Sequence, residues 1–299
     1  MDTEPGWHVR AGSGRGAVIR RVAAVGVAIG LLAAACGGGG TATAVTAVRD
    51  APKKTSDART SRVEVLIERP GAAGAQAAAP IRTAGEFDFI AHRGHMLIDL
   101  SQLGLPGPPI DAVYDNATVY TKLPPALAPG LPAGKSWVKV DLAAAGRTIG
   151  VDVAGLSQGQ AGDPSQTFDY LRGASDDVTR VGTEEIRGTQ TTHYKAVLDL
   201  NKAADQSPSA RDAIKSAIKV LGSSKQPAEA WIDAEGRVRR MRYAVDLSKS
   251  KTAASTPGAP ANVTFTIDLF DFGVPVQAVV PPAGQVVDLG ALTGNNGGR

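Results

Sequence analysis

Apolar and polar residues alternate with a period of two along most of the chain after residue 60. The stretch NVTFTIDLF at residues 262–270 places four apolar side chains on one face, and these are Val263, Phe265, Ile267 and Leu269. Alternation of this kind is typical of antiparallel strands that have one face in the core and the other in water. About eleven such segments are separated by turn residues, which predicts one large antiparallel β-sheet.

Two segments between the strands have helical patterns, and the first follows Asp163-Pro164. An Asp in the N-cap position followed by a Pro in the first turn is a typical helix start. The predicted helix carries Phe168 and Leu171 and ends at Gly173. Because only one of its faces is apolar, we expect that face to lie against the sheet.

The second helix begins at Ser207-Pro208 and ends at Gly222. Its apolar residues follow the i, i+3, i+4, i+7 spacing of a single stripe, and they are Ile214, Ala217, Ile218 and Leu221. A short helix is also predicted over Thr43–Asp57, interrupted at Pro52. Helices on one face of a mostly antiparallel sheet predict the α+β class.

The only cysteine of the chain, Cys36, stands behind the apolar run Val22–Ala35 and ahead of four glycines. A basic start, a short apolar core and small residues before a cleavage point predict an export signal, and the run is too short to span a membrane comfortably. The stretch resembles the lipobox of bacterial lipoproteins, although Ala33 stands where that pattern usually has Leu. The pair Arg20-Arg21 is only a weak signal for twin-arginine export. The remaining alternative for Cys36 is an ordinary cysteine buried in the core.

The balance of charges argues against nucleic acid as a partner. The formal net charge is +3, but residues 1–35 contribute four Arg against Asp2 and Glu4. The remaining chain has 28 basic and 27 acidic residues, so it has no electrostatic footprint for nucleic acid. The predicted organisation is a signal peptide at 1–35, a Gly-rich tether at 36–43, one domain at 44–290 and a C-terminal tail at 291–299.

One short motif matches a catalytic signature. The run GLSQG at residues 155–159 fits the G-x-S-x-G nucleophile elbow, with Ser157 in the nucleophile position. That motif works only on a sharp strand-to-helix turn, whereas the residues that follow here predict a loop. His193, the only downstream histidine, falls in the middle of a predicted strand. We therefore expect no catalytic pair and no enzyme activity.

The remaining polar patterns predict no metal or anion site. His92 and His95 have H-x-x-H spacing, which on a strand puts the side chains on opposite faces, and no Cys or third His supports zinc. Both are predicted as surface loop residues. The basic run at residues 237–242 is predicted as a solvated strand, and Trp137 and Trp231 are predicted in the core.

Several segments in order resemble one known family. They are SWVKVDL, DPSQTFDYLRGASDDVTRVGTEEIRGTQTTHYKAVLDL, AEAWIDAEGRVRRMRY and FTIDLFDFGVPVQAVVPP. Together with the lipobox-like Cys36 they resemble the actinobacterial lipoproteins that include LppX, LprA, LprF and LprG. The resemblance covers roughly residues 44–289 and contains no catalytic signature.

The resemblance implies a fold similar to the lipoprotein carriers LolA and LolB. In that fold a strongly curved antiparallel sheet, half a barrel, has helices over its concave face and an apolar cavity between them. It implies a lipid or glycolipid ligand, no cofactor, no metal, and a membrane transporter as a further partner. It also implies attachment to the extracytoplasmic side of the cell membrane through diacylglycerol on Cys36.

Two helices supply the candidate residues for such a cavity. They are Phe168, Leu171, Ile214, Ile218 and Leu221. Two other functions stay open at this point: a sensor or regulatory module of the same fold without lipid cargo, and an esterase that uses Ser157.

Overall fold

The computed structural model describes six stretches of the chain, which are residues 39–69, 78–101, 107–124, 131–141, 167–246 and 262–290. Cys36, Ser157 and the helix start at Asp163-Pro164 lie outside these residues. The predicted signal peptide and C-terminal tail lie outside them as well, so the domain boundaries stay predictions.

Twelve strands within the described residues form one open, curled sheet. They are β1 (Thr60–Arg69), β2 (Ala78–Asp88), β3 (Arg93–Asp99), β4 (Ile110–Asp115), β5 (Thr118–Lys122), β6 (Trp137–Asp141), β7 (Thr179–Ile186), β8 (Thr189–Asp199), β9 (Lys225–Asp233), β10 (Val238–Asp246), β11 (Asn262–Phe270) and β12 (Val286–Asp288). Their order across the sheet is β12-β6-β5-β4-β3-β2-β1-β11-β10-β9-β8-β7. The predicted α+β half-barrel is confirmed, and the predicted strands are β1–β11.

The strand that the alternation did not predict is β12, which is the one parallel strand of this sheet. Val286 pairs with Trp137 and Val287 with Val138. With only three residues, β12 is too short to show a period. It directly follows a 3₁₀ turn at Ala283–Gln285.

The two faces of the sheet have different characters. The inner face carries Val63, Phe87, Met241 and Ile267, which share one hydrophobic core with Val48 of the first helix. The outer face is the opposite side. It carries a row of polar and aromatic side chains that face one another across neighbouring strands, which are His193, Trp231, Arg240, Asp268 and Glu64.

The first helix, α1, runs continuously over Gly39–Asp57. The predicted interruption at Pro52 is therefore wrong, and α1 begins inside the predicted tether. A proline in a helix removes one backbone hydrogen bond, but Val48 and Pro52 are buried against the strands. In addition, the backbone N–H of Val238 on β10 donates to Thr55 Oγ1 at 2.9 Å. Packing onto the sheet thus outweighs the missing bond.

A short helix, α2, spans Leu200–Gln206 and was not predicted. Asp199 is its N-cap, and its carboxylate accepts from the backbone N–H groups of Asn201 and Lys202. The ammonium of Lys225 donates to the same carboxylate at 2.6 Å and, as the main cause, lowers the pKa of Asp199. The helix is too short to show the periodicity that prediction relies on.

The third helix, α3, spans Arg211–Leu221. Ser207 was predicted as its N-cap, but Ser207 ends α2, and α3 begins after Ala210 without a side-chain cap. The two helices follow so closely that one start signal falls at the end of the other. The predicted end at Gly222 is confirmed by its left-handed backbone, with φ of 63°.

Contacts at the β7–β8 turn show how strongly the sheet curls. Arg187 in this turn donates to Asp268 on β11 at 3.0 Å and lies 2.9 Å from Glu64 on β1. In a flat sheet β8 and β1 would be about 19 Å apart, because four spacings of roughly 4.8 Å separate them. The Arg187 guanidinium also lies over the ring of Phe270, 4.2 Å from its centroid. These contacts require a strongly twisted, coiled sheet.

Candidate functional site

The predicted cavity residues on the first helical segment lie in the packed core. Phe168 and Leu171 are almost fully buried. The segment that ends at Gly173, as predicted, is a 3₁₀ helix over Asp169–Gly173, which packs on α2. Its Tyr170 is also buried, and this burial raises the pKa of Tyr170 to about 12.

The apolar stripe of α3 is only partly covered. Ile214 is fully buried, whereas Ile218 and Leu221 are half-buried at the border of the core. Among the described elements α3 packs chiefly on α2. Burial therefore decreases along the stripe from the first turn of α3 to its last.

Other half-buried apolar side chains pack at the border of the same core. They come from β1, β3, β6 and β8, and they are Ile67, Ile98, Val140 and Tyr194. An apolar group of a ligand can contact such side chains without displacing a fully buried residue. The inner face thus has partly accessible apolar surface at the border of the core.

On the outer face, His193 joins three strands. Its Nδ1 lies 2.8 Å from Glu184 Oε1 on β7, and its Nε2 lies 2.7 Å from Glu229 Oε2 on β9. Each ring nitrogen of His193 therefore lies within hydrogen-bond distance of a carboxylate. With both nitrogens engaged by carboxylates, neither is available as a base for a hydroxyl group.

Trp231 is buried, as predicted, and it belongs to this outer-face group. Its ring stacks on His193 with centroids 4.1 Å apart. Its indole N–H donates to Glu184 Oε2 at 2.9 Å. This bond is the main cause that lowers the pKa of Glu184, and the hydrogen bond from His193 adds to it.

The basic run at residues 237–242 is largely paired with acids. Arg237 and Arg239 both donate to Asp233, at 2.9 Å and 2.7 Å. Desolvation raises the pKa of Asp233, but the N–H of Arg237 and the two guanidinium groups outweigh it and lower that pKa. Arg240 makes two bonds to Asp268 on β11, at 2.6 Å and 2.7 Å.

The two histidines of the H-x-x-H motif occupy different structures. His92 lies in the β2–β3 turn with φ of 50°, as predicted. The loop position predicted for His95 is wrong, because it lies on β3 with Nε2 3.1 Å from Asp111. In the described residues no group of three or more His, Cys, Asp or Glu side chains could hold a metal ion. None of the described helices is long and apolar enough to cross a membrane.

Sequence reasoning missed the outer-face group because its members come from different strands. Glu184, His193 and Glu229 are separated by up to 45 positions in the chain and meet only through the register of β7, β8 and β9. The usable signal was an uncommon His on a strand beside acidic residues. The alternation does not show which strands are neighbours.

Few known proteins are similar to this chain in sequence, and more are similar to it in structure. No family model matches it. It is 28% identical over 260 residues to an uncharacterized 31.2 kDa protein in the rplA–rplJ intergenic region of Streptomyces griseus, covering 83% of this chain and 79% of that protein.

Two similar solved structures come from mycobacteria. The lipoprotein LppX of Mycobacterium tuberculosis has a TM-score of 0.46 and 12% identity, over 80% of this chain and 99% of that chain. LprF of Mycobacterium bovis has a TM-score of 0.42 and 15% identity, over 81% of this chain and 98% of that chain. Two of the four names that the sequence resemblance gave, LppX and LprF, thus appear among its structural neighbours.

Proposed function

We propose that this protein is an envelope lipoprotein that holds the acyl chains of a lipid or glycolipid between α3 and the inner face of the sheet, for lipid transfer or trafficking. The observation that carries the proposal is the decreasing burial along α3 from Ile214 to Leu221. An apolar stripe on an exposed helix must be covered for the helix to be stable in water. An acyl chain can supply that cover.

The energetics favour a long apolar ligand. Each methylene group that leaves water contributes about 0.8 kcal/mol, so several methylene groups along Ile218 and Leu221 give substantial affinity. The half-buried Ile67 and Ile98 on the inner face of the sheet are further apolar surface at the border of the same core. Specificity for a headgroup would then depend on the rim of this space.

The proposed place of action is the extracytoplasmic side of the cell membrane, with a membrane transporter as a further partner. The support for it is the sequence around Cys36, whose apolar run and small residues fit an export signal with a lipidation point. Diacylglycerol on that cysteine supplies two chains, which is enough for stable attachment.

A second candidate is a binding module of the same fold without lipid cargo, such as a sensor or assembly factor. The observation that favours it is the complete burial of Phe168, Leu171 and Ile214 in one packed core. In this alternative, Ile218 and Leu221 would be covered by a protein partner.

Photo-crosslinking tests the proposal. The purified protein is extracted with organic solvent, the extract is analysed by mass spectrometry, and the protein is reloaded with a diazirine-labelled phospholipid. The proposal predicts co-purified lipid and cross-links on peptides of α3, residues 211–221. An extract free of lipid, together with cross-links no more frequent than on the exposed turn at residues 90–92, would favour the module without cargo.

A further inference from the structure

A trough of about 390 Å³ crosses the outer face, on the side opposite to the helices. Its floor is an apolar strip formed by Val197, Pro227 and Ala244, which are exposed on β8, β9 and β10. It extends from residues just before β7 to β11, which is about 19 Å for four strand spacings of roughly 4.8 Å. This volume lies within the range of small-molecule sites, about 300–1,000 Å³.

The floor contains one proline of a central strand. Pro227 has no N–H to donate, and the register of β9 and β10, which ends at the pair Ala228–Tyr243, puts Ala244 next to it on β10. The Ala244 carbonyl accepts instead from the side chain of Gln226, whose Nε2 lies 2.7 Å away. The buried Gln226 side chain thus donates in place of a backbone N–H. On the outer face, only the short side chains of Val197, Pro227 and Ala244 remain at this point.

Longer side chains form one wall of the trough. Lys195, Glu229 and Arg242 lie side by side on β8, β9 and β10. Glu229 lies 2.7 Å from His193 Nε2 and 3.9 Å from the Lys195 ammonium, so its carboxylate already has two partners. For Arg242, by contrast, the described part of the chain provides no carboxylate within 4.0 Å.

The two ends of the trough therefore differ in charge. Asp177 and Thr179 line the end beside β7, whereas Arg242 and Thr264 line the end at β10 and β11. An anion placed at the second end can accept from a guanidinium and a hydroxyl group. It would also lie as far from Asp177 as the trough allows.

We propose that this trough is a second binding site, for a small amphiphile with one anionic group. The anion, a carboxylate or a phosphate, binds Arg242 and the Thr264 hydroxyl, and the apolar part covers Val197, Pro227 and Ala244. This inference goes beyond the proposed lipid site and does not rest on it, because the two sites lie on opposite faces of the sheet.

NMR titration of the purified protein with dodecanoate, below the micelle concentration of dodecanoate, tests the role of the Arg242 charge. Arg242→Gln should weaken dodecanoate about fivefold, which is the upper range for an exposed ion pair. The same variant should leave dodecanol, which has no charge, unchanged. Lys53→Gln on the exposed side of α1 is the matched control and should bind dodecanoate like the wild type. Equal affinity of the wild type and Arg242→Gln for dodecanoate would overturn the proposal.

A variant that fills the trough tests where dodecanoate binds. Ala244→Trp should fill the trough and abolish the shifts that dodecanoate causes at Val197 and Thr264, while Ala91→Trp in the β2–β3 turn should not. If Ala244→Trp does not fold by circular dichroism, Val197→Ser serves instead and should weaken both ligands. Ile218→Trp on the opposite face should leave these shifts intact. Shifts confined to α3, or unaffected by either trough variant, would show that the only site is on the inner face and refute the second one.

Discussion

Gln226 shows at the scale of one residue how a sheet tolerates a proline in a central strand. Pro227 is flanked by β8 and β10, and strand interiors usually exclude proline because it cannot donate to the ladder. The Gln226 side chain is buried and donates to both the Pro227 and the Ala244 carbonyls. One amide side chain thus satisfies an acceptor that the backbone leaves open.

Gln226→Leu should destabilise the protein by about 0.5–1.5 kcal/mol, because it removes the hydrogen bond to the partly buried Ala244 carbonyl at nearly constant volume. Urea unfolding measures the change. Gln190→Leu, at an exposed position on β8, is the control and should stay within about 0.5 kcal/mol of the wild type. Equal midpoints for the two variants would mean that water replaces the amide at no cost.

Asp233 makes stability depend on pH. The pKa of Asp233 is lowered in the folded protein. Its carboxylate therefore contributes fully to the free energy of unfolding above the pKa of an unfolded Asp, about 3.9, and this contribution is lost as the pH falls through the lower pKa of the folded protein. Asp233→Asn should therefore be less stable than the wild type at pH 7, and the difference should shrink below about pH 4. Thermal unfolding from pH 7 to pH 3 tests this, with Asp205→Asn as the exposed control. A difference that is constant with pH would contradict it.

At the scale of elements, the helices depend on packing more than on their own start signals. Ser207-Pro208 has the composition of an N-cap yet closes α2, while α3 begins uncapped at Arg211. Local alternation predicted β1–β11 because a period of two is visible within one strand. It missed α2 and β12, since elements this short are stabilised by contacts that a local pattern does not contain.

Gly173 tests the packing of the 3₁₀ helix on α2. A Cβ added there would overlap the carbonyl oxygen of Asp199 and lie 2.9 Å from the Cβ of Ala203. Gly173→Ala should cost about 1–3 kcal/mol through overpacking. Gly182→Ala is the control, because nothing lies within 4 Å of its added Cβ. Differential scanning calorimetry compares them, and equal melting temperatures would refute close packing at this point.

At the scale of the whole molecule, one sheet provides two different faces. Its inner face and helices form the core, in which Phe168, Leu171 and Ile214 are buried, and their role as cavity residues stays a prediction. Its outer face joins His193, Trp231, Arg240 and Asp268 across four strands. That row follows from strand order and register, which depend on long-range pairing and are absent from any single segment.

The anchor is predicted from sequence, because Cys36 lies outside the described residues. In the native host, Cys36→Ala should release the protein from the membrane or leave it unprocessed, since the diacylglycerol has no other thiol to join. Membrane fractionation and intact mass measure this. Ser61→Ala, deep in the described domain, should leave both unchanged. A Cys36→Ala protein with wild-type mass and membrane attachment would contradict the anchor.

The central claim is that the end of α3 faces an acyl chain, and Ile218→Trp tests it most directly. Thermal stability and co-purified lipid are measured together, with Lys215→Trp on the exposed side of α3 as the control. If Ile218 faces a ligand space, the added ring fills it, so the melting temperature is preserved and lipid is lost, while Lys215→Trp keeps both. If Ile218 faces a closed core, overpacking costs about 1–3 kcal/mol. Lowered stability with unchanged lipid content would therefore contradict the account.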